Sequence, residues 1–316
     1  MSQALHIQDQ ITPVSYDLFT RDFDAFTKAL GDSYARWGFA VISDHGMPQD
    51  KVDAALEQMK LFFALPEETK LKYKLPVQGQ RGYTPFGIET AKGATHSDLK
   101  EFWHVGRELP EGHAYRAVMA DNIWPAEIPE FKPTYLELFS AFDKAGGRIL
   151  EAIARHLKLA PDYFEATVRD GNSVLRLLHY PPVPKDGPHI RAGAHEDINV
   201  ITLLLGAEEA GLEVKDHDGR WIAINPPPGS LVCNIGDMLQ RLTNDVLPST
   251  THRVVNPPEA RKGVARYSTP FFLHFNSDYL IQTLPGCVDA AHPDRNPEPI
   301  TADDYLQERL REIKLA

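Results

Sequence analysis

The 316-residue sequence predicts a mixed α+β fold in which a β-barrel or jelly-roll core carries a helical N-terminal layer. Three observations lead there. Apolar residues recur at helical spacing through the first half of the chain. From Ser173 onward the pattern changes to short segments rich in β-branched and other apolar residues, separated by turn formers. Helices come first and strands afterwards, instead of alternating as they would around a parallel sheet.

Phe23, Phe26, Leu30, Tyr34 and Trp37 share one face of a helix that Gly38 stops. Phe39 to Ile42 reads as a short strand. Val52, Leu56, Met59 and Phe63 define a second helix, ended by Pro66. A longer helix is expected from about Thr134 to Leu159, with Tyr135, Leu138, Phe142, Ile149, Ile153 and Leu157 inward; the Gly146-Gly147 pair weakens its middle. Strands are expected over 174–180, 198–205, 212–215, 221–225, 231–235, 252–256 and 267–275. Asp218-Gly219, Pro226 to Gly229 and Asn256-Pro257-Pro258 punctuate them. Asp303 to Lys314 closes the chain as an amphipathic helix that could lean over a site mouth. The polar, glycine-containing stretch 77–95 is expected to be a mobile loop near that mouth. Residues 1–170 thus form the helical layer and 171–316 the β core, packed as one unit.

Composition sets outer limits. With 42% hydrophobic residues the chain can bury a large core. A formal charge of −11 argues against nucleic acid and anionic membrane surfaces as partners, since both are bound through clustered Lys and Arg. No run of 18 apolar residues occurs, and Met1 to His6 lacks a secretory pattern, so a cytoplasmic protein acting on a small molecule is expected. Neither composition nor pattern indicates an oligomeric state. The two cysteines, Cys233 and Cys287, are expected to stay unpaired, Cys233 as a small buried side chain.

The chemistry concentrates in His195-Glu196-Asp197, answered by His252 and then by Arg266-Tyr267-Ser268. Two imidazoles and one carboxylate form the ligand set of a non-haem Fe(II) site with open positions. Placed at i and i+2 on a strand, His195 and Asp197 would share a face. His252 follows Asp197 by 55 positions, room for several antiparallel strands to return a third ligand. Most of the 13 histidines in such a chain serve the surface or a hydrogen-bonded core, so the His-x-Asp pair alone says little. Its strand context and the distant partners give it weight.

At these residues the chain resembles the 2-oxoglutarate and Fe(II)-dependent dioxygenases of the isopenicillin N synthase-like type. The likeness runs through Trp37 to Ile42 with Asp44-His45-Gly46, Phe62 to Pro66, Lys70, Gly82-Tyr83 and Asp98 to Glu101. It continues through Leu177 to Pro182, His195 to Leu205, Gly211 to Val214, Asn234 to Asp237, Leu242 to Asn244 and Thr251 to Val254. The resemblance implies a double-stranded β-helix (jelly-roll) core and an enzyme that hydroxylates a small molecule, using Fe(II), 2-oxoglutarate and O2 and releasing succinate and CO2. It assigns His195, Asp197 and His252 to the metal. Arg266 and Ser268, with Tyr180, fall on the residues that bind the distal carboxylate of 2-oxoglutarate, a task suited to the planar arginine fork.

Two departures stand out. The step from His252 to Arg266 is 14 positions, longer than is usual for the family, with 257–263 forming an enlarged hairpin loop. Leu178 stands where many plant members carry asparagine. Arg81 and Tyr83 in the loop, and His274 beyond the Arg-x-Ser strand, are candidates to touch substrate. Asp237 reads as a turn residue after a strand. Two alternatives stay open on the sequence: an iron oxidase of the same fold that does not use 2-oxoglutarate, and a non-enzymatic β-barrel that binds a small acid.

Overall fold

A computed structural model describes residues 10–75, 81–89, 97–184, 190–205 and 211–312. The elements in order are β1 (Val14–Ser15), α1 (Asp17–Arg21), α2 (Phe23–Trp37), β2 (Phe39–Ser43), α3 (Gln49–Phe63), α4 (Glu67–Leu71), β3 (Gly82–Thr84), β4 (Glu101–Gly106), α5 (Phe131–His156) and α6 (Glu165–Val168). There follow β5 (Val174–Tyr180), β6 (Ala192–His195), β7 (Ile201–Leu205), β8 (Leu212–Lys215), β9 (Trp221–Ala223), β10 (Leu231–Ile235), α7 (Asp237–Leu242), β11 (His252–Val254), β12 (Arg266–Leu273) and α8 (Ala302–Glu312).

Among the described residues, an eight-stranded sheet has the order β1-β2-β10-β7-β12-β5-β4-β3, and a four-stranded sheet the order β6-β11-β8-β9. Pairing is antiparallel except between β1 and β2. The N-terminal segment therefore supplies β1 to β4 to the same sheet as the C-terminal strands, across the boundary expected near residue 170.

Side chains alternate along each strand, so the eight-stranded sheet has two differently occupied faces. One face packs on α2, α3 and α5 through the main core, which includes Phe26, Phe62, Trp103, Phe142, Leu203 and Phe271. The other meets the four-stranded sheet. Phe39, Val41 and Val232 pack there with Leu212 and Val214, while Phe102, Leu178 and Tyr180 pack with Ala192 and Val254.

Helix α2 begins where the Asp22 carboxylate accepts the Ala25 N–H at 3.0 Å, and stops at Gly38, whose φ of 66° suits a residue without a Cβ. Helix α5 runs unbroken through the Gly146-Gly147 pair. The reason is contact: a Cβ on Gly146 would stand 2.4 Å from Leu273 Cδ1, so glycine lets the helix seat directly on β12.

Several expected strands shorten at their ends, to 221–223, 252–254 and 266–273. The strand expected over 198–205 starts only at Ile201. The carbonyls of Asp197, Ile198, Asn199 and Val200 accept hydrogen bonds from the backbone amides of Asp237, Met238 and Gly236. Those amides belong to the start of α7, where N–H groups lack partners within the helix, and they draw 197–200 out of any ladder. The closing helix is observed over 302–312; residue 313 onward, like 77–80 and 90–95 of the expected loop, lies outside the described residues.

The contact between α5 and the sheet yields a stability prediction. Phe142 is fully buried and stacks on Phe271 with ring centroids 5.5 Å apart. Phe142→Ala is expected to lower unfolding free energy by about 3–5 kcal/mol, measured by urea denaturation; a loss below about 1 kcal/mol would mean this contact does not anchor α5.

Candidate metal centre and active site

His195 ends β6 and His252 begins β11, and the two are direct partners in the antiparallel register. Cross-strand pairing thus delivers both imidazoles to one point, with ring centroids 4.4 Å apart. Asp197 reaches the same point from the turn after β6, not from a strand. The expected sharing of a strand face is corrected here: the turn seated on α7, and not a period of two, aims its carboxylate. Its Oδ1 lies 3.9 Å from His195 Nε2 and 3.8 Å from His252 Nε2.

Each side chain has its other polar atom occupied. His195 Nδ1 lies 2.8 Å from the Gly193 carbonyl, and His252 Nδ1 3.2 Å from that of Thr250, so both turn Nε2 toward Asp197. Asp197 Oδ2 accepts from Thr202 Oγ1 at 2.5 Å and Asn234 Nδ2 at 2.8 Å, which leaves Oδ1 facing the imidazoles. Three candidate ligand atoms converge within 4.8 Å of one another, each oriented by a neighbour as metal ligands are.

Electrostatics favour the ligating forms. Burial, and then the adjacent His252, push His195 down to about 4, so its ring is neutral at ordinary pH. Burial alone would raise Asp197, but His252, His195 and the two hydrogen bonds outweigh it and hold the carboxyl below its usual value. Two imidazoles and a carboxylate, with Nε2 and Oδ1 atoms turned inward, fit a divalent cation such as Fe(II).

Arg266 and Ser268 follow on β12, both buried. Arg266 pairs across the sheet with Tyr180 on β5, and its guanidinium lies 5.2 Å from the centre of the Tyr180 ring. Tyr180 packs in turn with Ala192 and Val254 of the four-stranded sheet, whose strands β6 and β11 carry the two histidines. The candidate metal ligands and the arginine are thereby gathered between the two sheets.

The three candidate substrate contacts divide. His274 is buried, and burial followed by the Arg81 charge pushes its ring down to about 4; the Asp197 charge acts on it in the opposite sense. Arg81 is also buried, bonds Asn172 Oδ1 at 3.0 Å, and has its guanidinium against Gly106, leaving no room there for a Cβ. The charges of Arg81 and Asp197 are thus both felt at His274. Tyr83 lines one cavity with Arg81, but its hydroxyl is engaged elsewhere. It belongs to the main core, and its hydroxyl donates to Glu101 Oε2 at 2.5 Å, beside Lys70 Nζ at 2.7 Å and His179 Nδ1. A buried carboxylate needs such donors, and the Tyr83 hydroxyl is one of them. Asp237, read as a turn residue, is the buried first residue of α7; its N–H meets the Asp197 carbonyl at 2.7 Å, and Arg309 of α8 reaches its Oδ2 at 3.1 Å.

Sequence reasoning missed a second polar group in this region. Lys100 Nζ bridges Glu89 at 2.7 Å and Asp98 at 2.8 Å, and Arg176 Nη1 lies 3.2 Å from both Glu89 oxygens. The group is tied to the metal strand, since Asp98 Oδ1 accepts the Gly193 N–H at 3.0 Å. One signal was available: Arg176 is a lone cation within the apolar strand that leads to Tyr180.

Comparison with known proteins agrees with this geometry. Residues 14–127 match the model described as non-haem dioxygenase in morphine synthesis N-terminal, and 171–275 that of the 2OG-Fe(II) oxygenase superfamily. A 2-oxoglutarate-Fe(II) type oxidoreductase of Emericella nidulans is 34% identical over 85% of this chain and 79% of its own length. A homoarginine-6-hydroxylase of Arabidopsis thaliana is 35% identical over 79% of this chain and 76% of its own. Among solved structures, a 2OG-Fe(II) oxygenase family protein from Caulobacter crescentus is 65% identical, with a TM-score of 0.91 over 96% of this chain and 99% of that one. A Neurospora crassa protein solved with alpha-KG and thymine is 30% identical, with a TM-score of 0.85 over 97% and 98% of the two chains. The fold and site define a non-haem iron oxygenase. The chain belongs to the 2OG-Fe(II) oxygenase superfamily, with Fe(II), 2-oxoglutarate and O2 as the family's requirements.

The support given to Asp197 can be tested. Asn234→Ala is expected to keep the fold and weaken Fe(II) binding about 10–100-fold in an anaerobic metal titration. An unchanged affinity would remove Asn234 from the centre.

Proposed function

We propose that His195, Asp197 and His252 hold Fe(II) on one face, that Arg266 and Ser268 with Tyr180 bind the distal carboxylate of 2-oxoglutarate, and that the enzyme hydroxylates a small organic molecule. The carrying observation is the division of labour at Asp197, one oxygen fixed by Thr202 and Asn234 and the other turned to two imidazoles, with a buried arginine on the same site. When bound, Fe(II) and 2-oxoglutarate supply the oxidising chemistry, directing one atom of O2 to succinate, formed with CO2, and the other to a C–H bond of the substrate.

The protein's own part is placement. The Arg266 guanidinium lies against the ring of Tyr180, which itself packs with Phe102, Leu178, Ala192 and Val254, and low polarity there strengthens its hold on a carboxylate. Asn234 and Thr202 prevent the Asp197 carboxylate from rotating. The two sheets, joined around this centre by their apolar faces, support the reading of a double-stranded β-helix or jelly roll, with residues 1–170 and 171–316 acting as one catalytic unit. Relatives named for homoarginine hydroxylation, and one solved with thymine, support a small-molecule substrate. Free Cys233 and Cys287, and the absence among the described residues of any helix long and apolar enough to cross a membrane, support a cytoplasmic setting.

The test is anaerobic titration of the Fe(II)-loaded protein with 2-oxoglutarate, following the visible charge-transfer band of a chelated 2-oxo acid. Asp197→Ala is expected to lose the band and all turnover. Arg266→Ala is expected to weaken 2-oxoglutarate binding by about 2–5 kcal/mol while retaining iron. A band that saturates equally well in Arg266→Ala would take the carboxylate away from Arg266. Iron bound without any band in the unaltered protein would point to an oxidase that draws its electrons from substrate.

A further inference from the structure

In the four-stranded sheet β6 is an edge strand, and β11 is its neighbour among the described strands. Their ladder is uneven: three steps along β6, from Ala192 to His195, face two along β11, from Val254 to His252. One extra residue in β6 makes a β-bulge, a local kink that re-aims the side chains beside it. The side chain at the end of this kink is the His195 imidazole. Ala192-Gly193-Ala194 has little strand preference, so β6 does not hold such a kink by its own side chains. Gly193, inside it, is buried, and a buried N–H requires an acceptor.

Asp98 supplies that acceptor from beyond the edge of the sheet. Its Oδ1 takes the Gly193 N–H at 3.0 Å, and the following Leu99 N–H donates to the Ile190 carbonyl at 2.9 Å, so residues 98 and 99 bind β6 and its approach where another strand would stand. Asp98 Oδ2 is held by Lys100 Nζ at 2.8 Å, and Lys100 is held in turn by Glu89 at 2.7 Å. Asp98 and Lys100 are both buried. Burial alone would lower the Lys100 ammonium, but Glu89 and then Asp98 outweigh it and raise it, so the cation that anchors Asp98 stays charged. The Gly193 carbonyl completes the link, facing His195 Nδ1 at 2.8 Å. A carbonyl oxygen only accepts, so Nδ1 carries the proton and Nε2 presents its lone pair on the Asp197 side. Gly193 thus has its amide fixed by Asp98 while its carbonyl fixes the ring of His195.

Resting on the assignment of His195 to the metal, we propose that Asp98 is a positioning residue for the metal centre: by pinning the Gly193 bulge it sets the direction of the His195 Nε2 lone pair. Lys100 and Glu89 act one step further back, as the anchor that keeps the Asp98 carboxylate turned to Gly193. Each carboxylate then has a distinct task, Asp197 as a ligand and Asp98 as the brace of the strand that carries another.

The experiment compares Asp98→Leu, which is close in size and has no acceptor, with Asp98→Asn, which keeps a neutral carbonyl oxygen for the Gly193 N–H. Anaerobic titration with Fe(II) gives the affinity, and the visible ligand-field bands of the Co(II)-loaded protein report the ligand geometry. Asp98→Leu is expected to weaken Fe(II) binding at least about tenfold and to alter the Co(II) bands. Asp98→Asn is expected to fall between it and the unaltered protein on both readouts, because a neutral acceptor holds an N–H about half as strongly as a charged one. A folded Asp98→Leu that loses only thermal stability, with affinity and bands unchanged, would overturn the proposal, as would equal losses in the two variants. If Asp98→Leu does not fold, Asp98→Asn decides: weaker Fe(II) binding with altered bands supports the brace, and unchanged affinity and bands refute it. Unaltered protein that binds neither metal, or His195→Ala that binds both as tightly, would instead strike the assignment of His195.

Discussion

The arrangement depends on how one carboxylate is shared. Asp197 is buried, and without donors it would favour the protonated form, a poor ligand for a metal. Thr202 from β7 and Asn234 from β10 each give one hydrogen bond to the same oxygen, so neighbouring strands of the larger sheet set the direction of the other. The imidazoles come from the smaller sheet. The centre is therefore assembled only when the two sheets are correctly apposed, which links the integrity of the fold to that of the site.

The amino end of α7 is the second element of that assembly. Its amides bind the carbonyls of residues 197–200 and hold the turn carrying Asp197. The same backbone explains Gly236, where a Cβ would stand 2.1 Å from the Asn199 carbonyl oxygen. Arg309 of α8 reaches Asp237 at the start of this helix, so the closing helix is joined by an ion pair to the elements behind the metal centre.

Much of this was legible in the sequence, and the exceptions have physical causes. The limits of β5, β8 and β10 followed from apolar runs bounded by turn formers. Strand β6 did not, because Ala192-Gly193-Ala194 has little strand preference of its own and is made a strand by pairing with β11. The turn at Asp197 depends on α7, some forty positions away, which no local pattern announces. The convergence of His195, Asp197 and His252 was visible from residue types and spacing. The ion-pair group of Glu89, Asp98, Lys100 and Arg176 was not: Glu89 falls in the stretch read as loop, where a charge looks solvated, and no local pattern brings it and Lys100 to Arg176 on the distant strand β5. The bond from the Tyr83 hydroxyl to Glu101 was hidden for a related reason: only the tertiary structure reveals that Glu101, on β4, is a buried acid in need of donors.

The direct opposition of His195 and His252 in the ladder separates two kinds of change in this scaffold. Inserting one residue within β6 or β11 would turn an imidazole to the opposite side of its sheet and dismantle the centre. Residues 257–263 lie beyond the paired positions of β11 and before Arg266 opens β12, so the chain there can lengthen without altering either register. The long step between the second histidine and the arginine is thus a place where the rim of the enzyme can be remodelled while its inorganic core stays fixed.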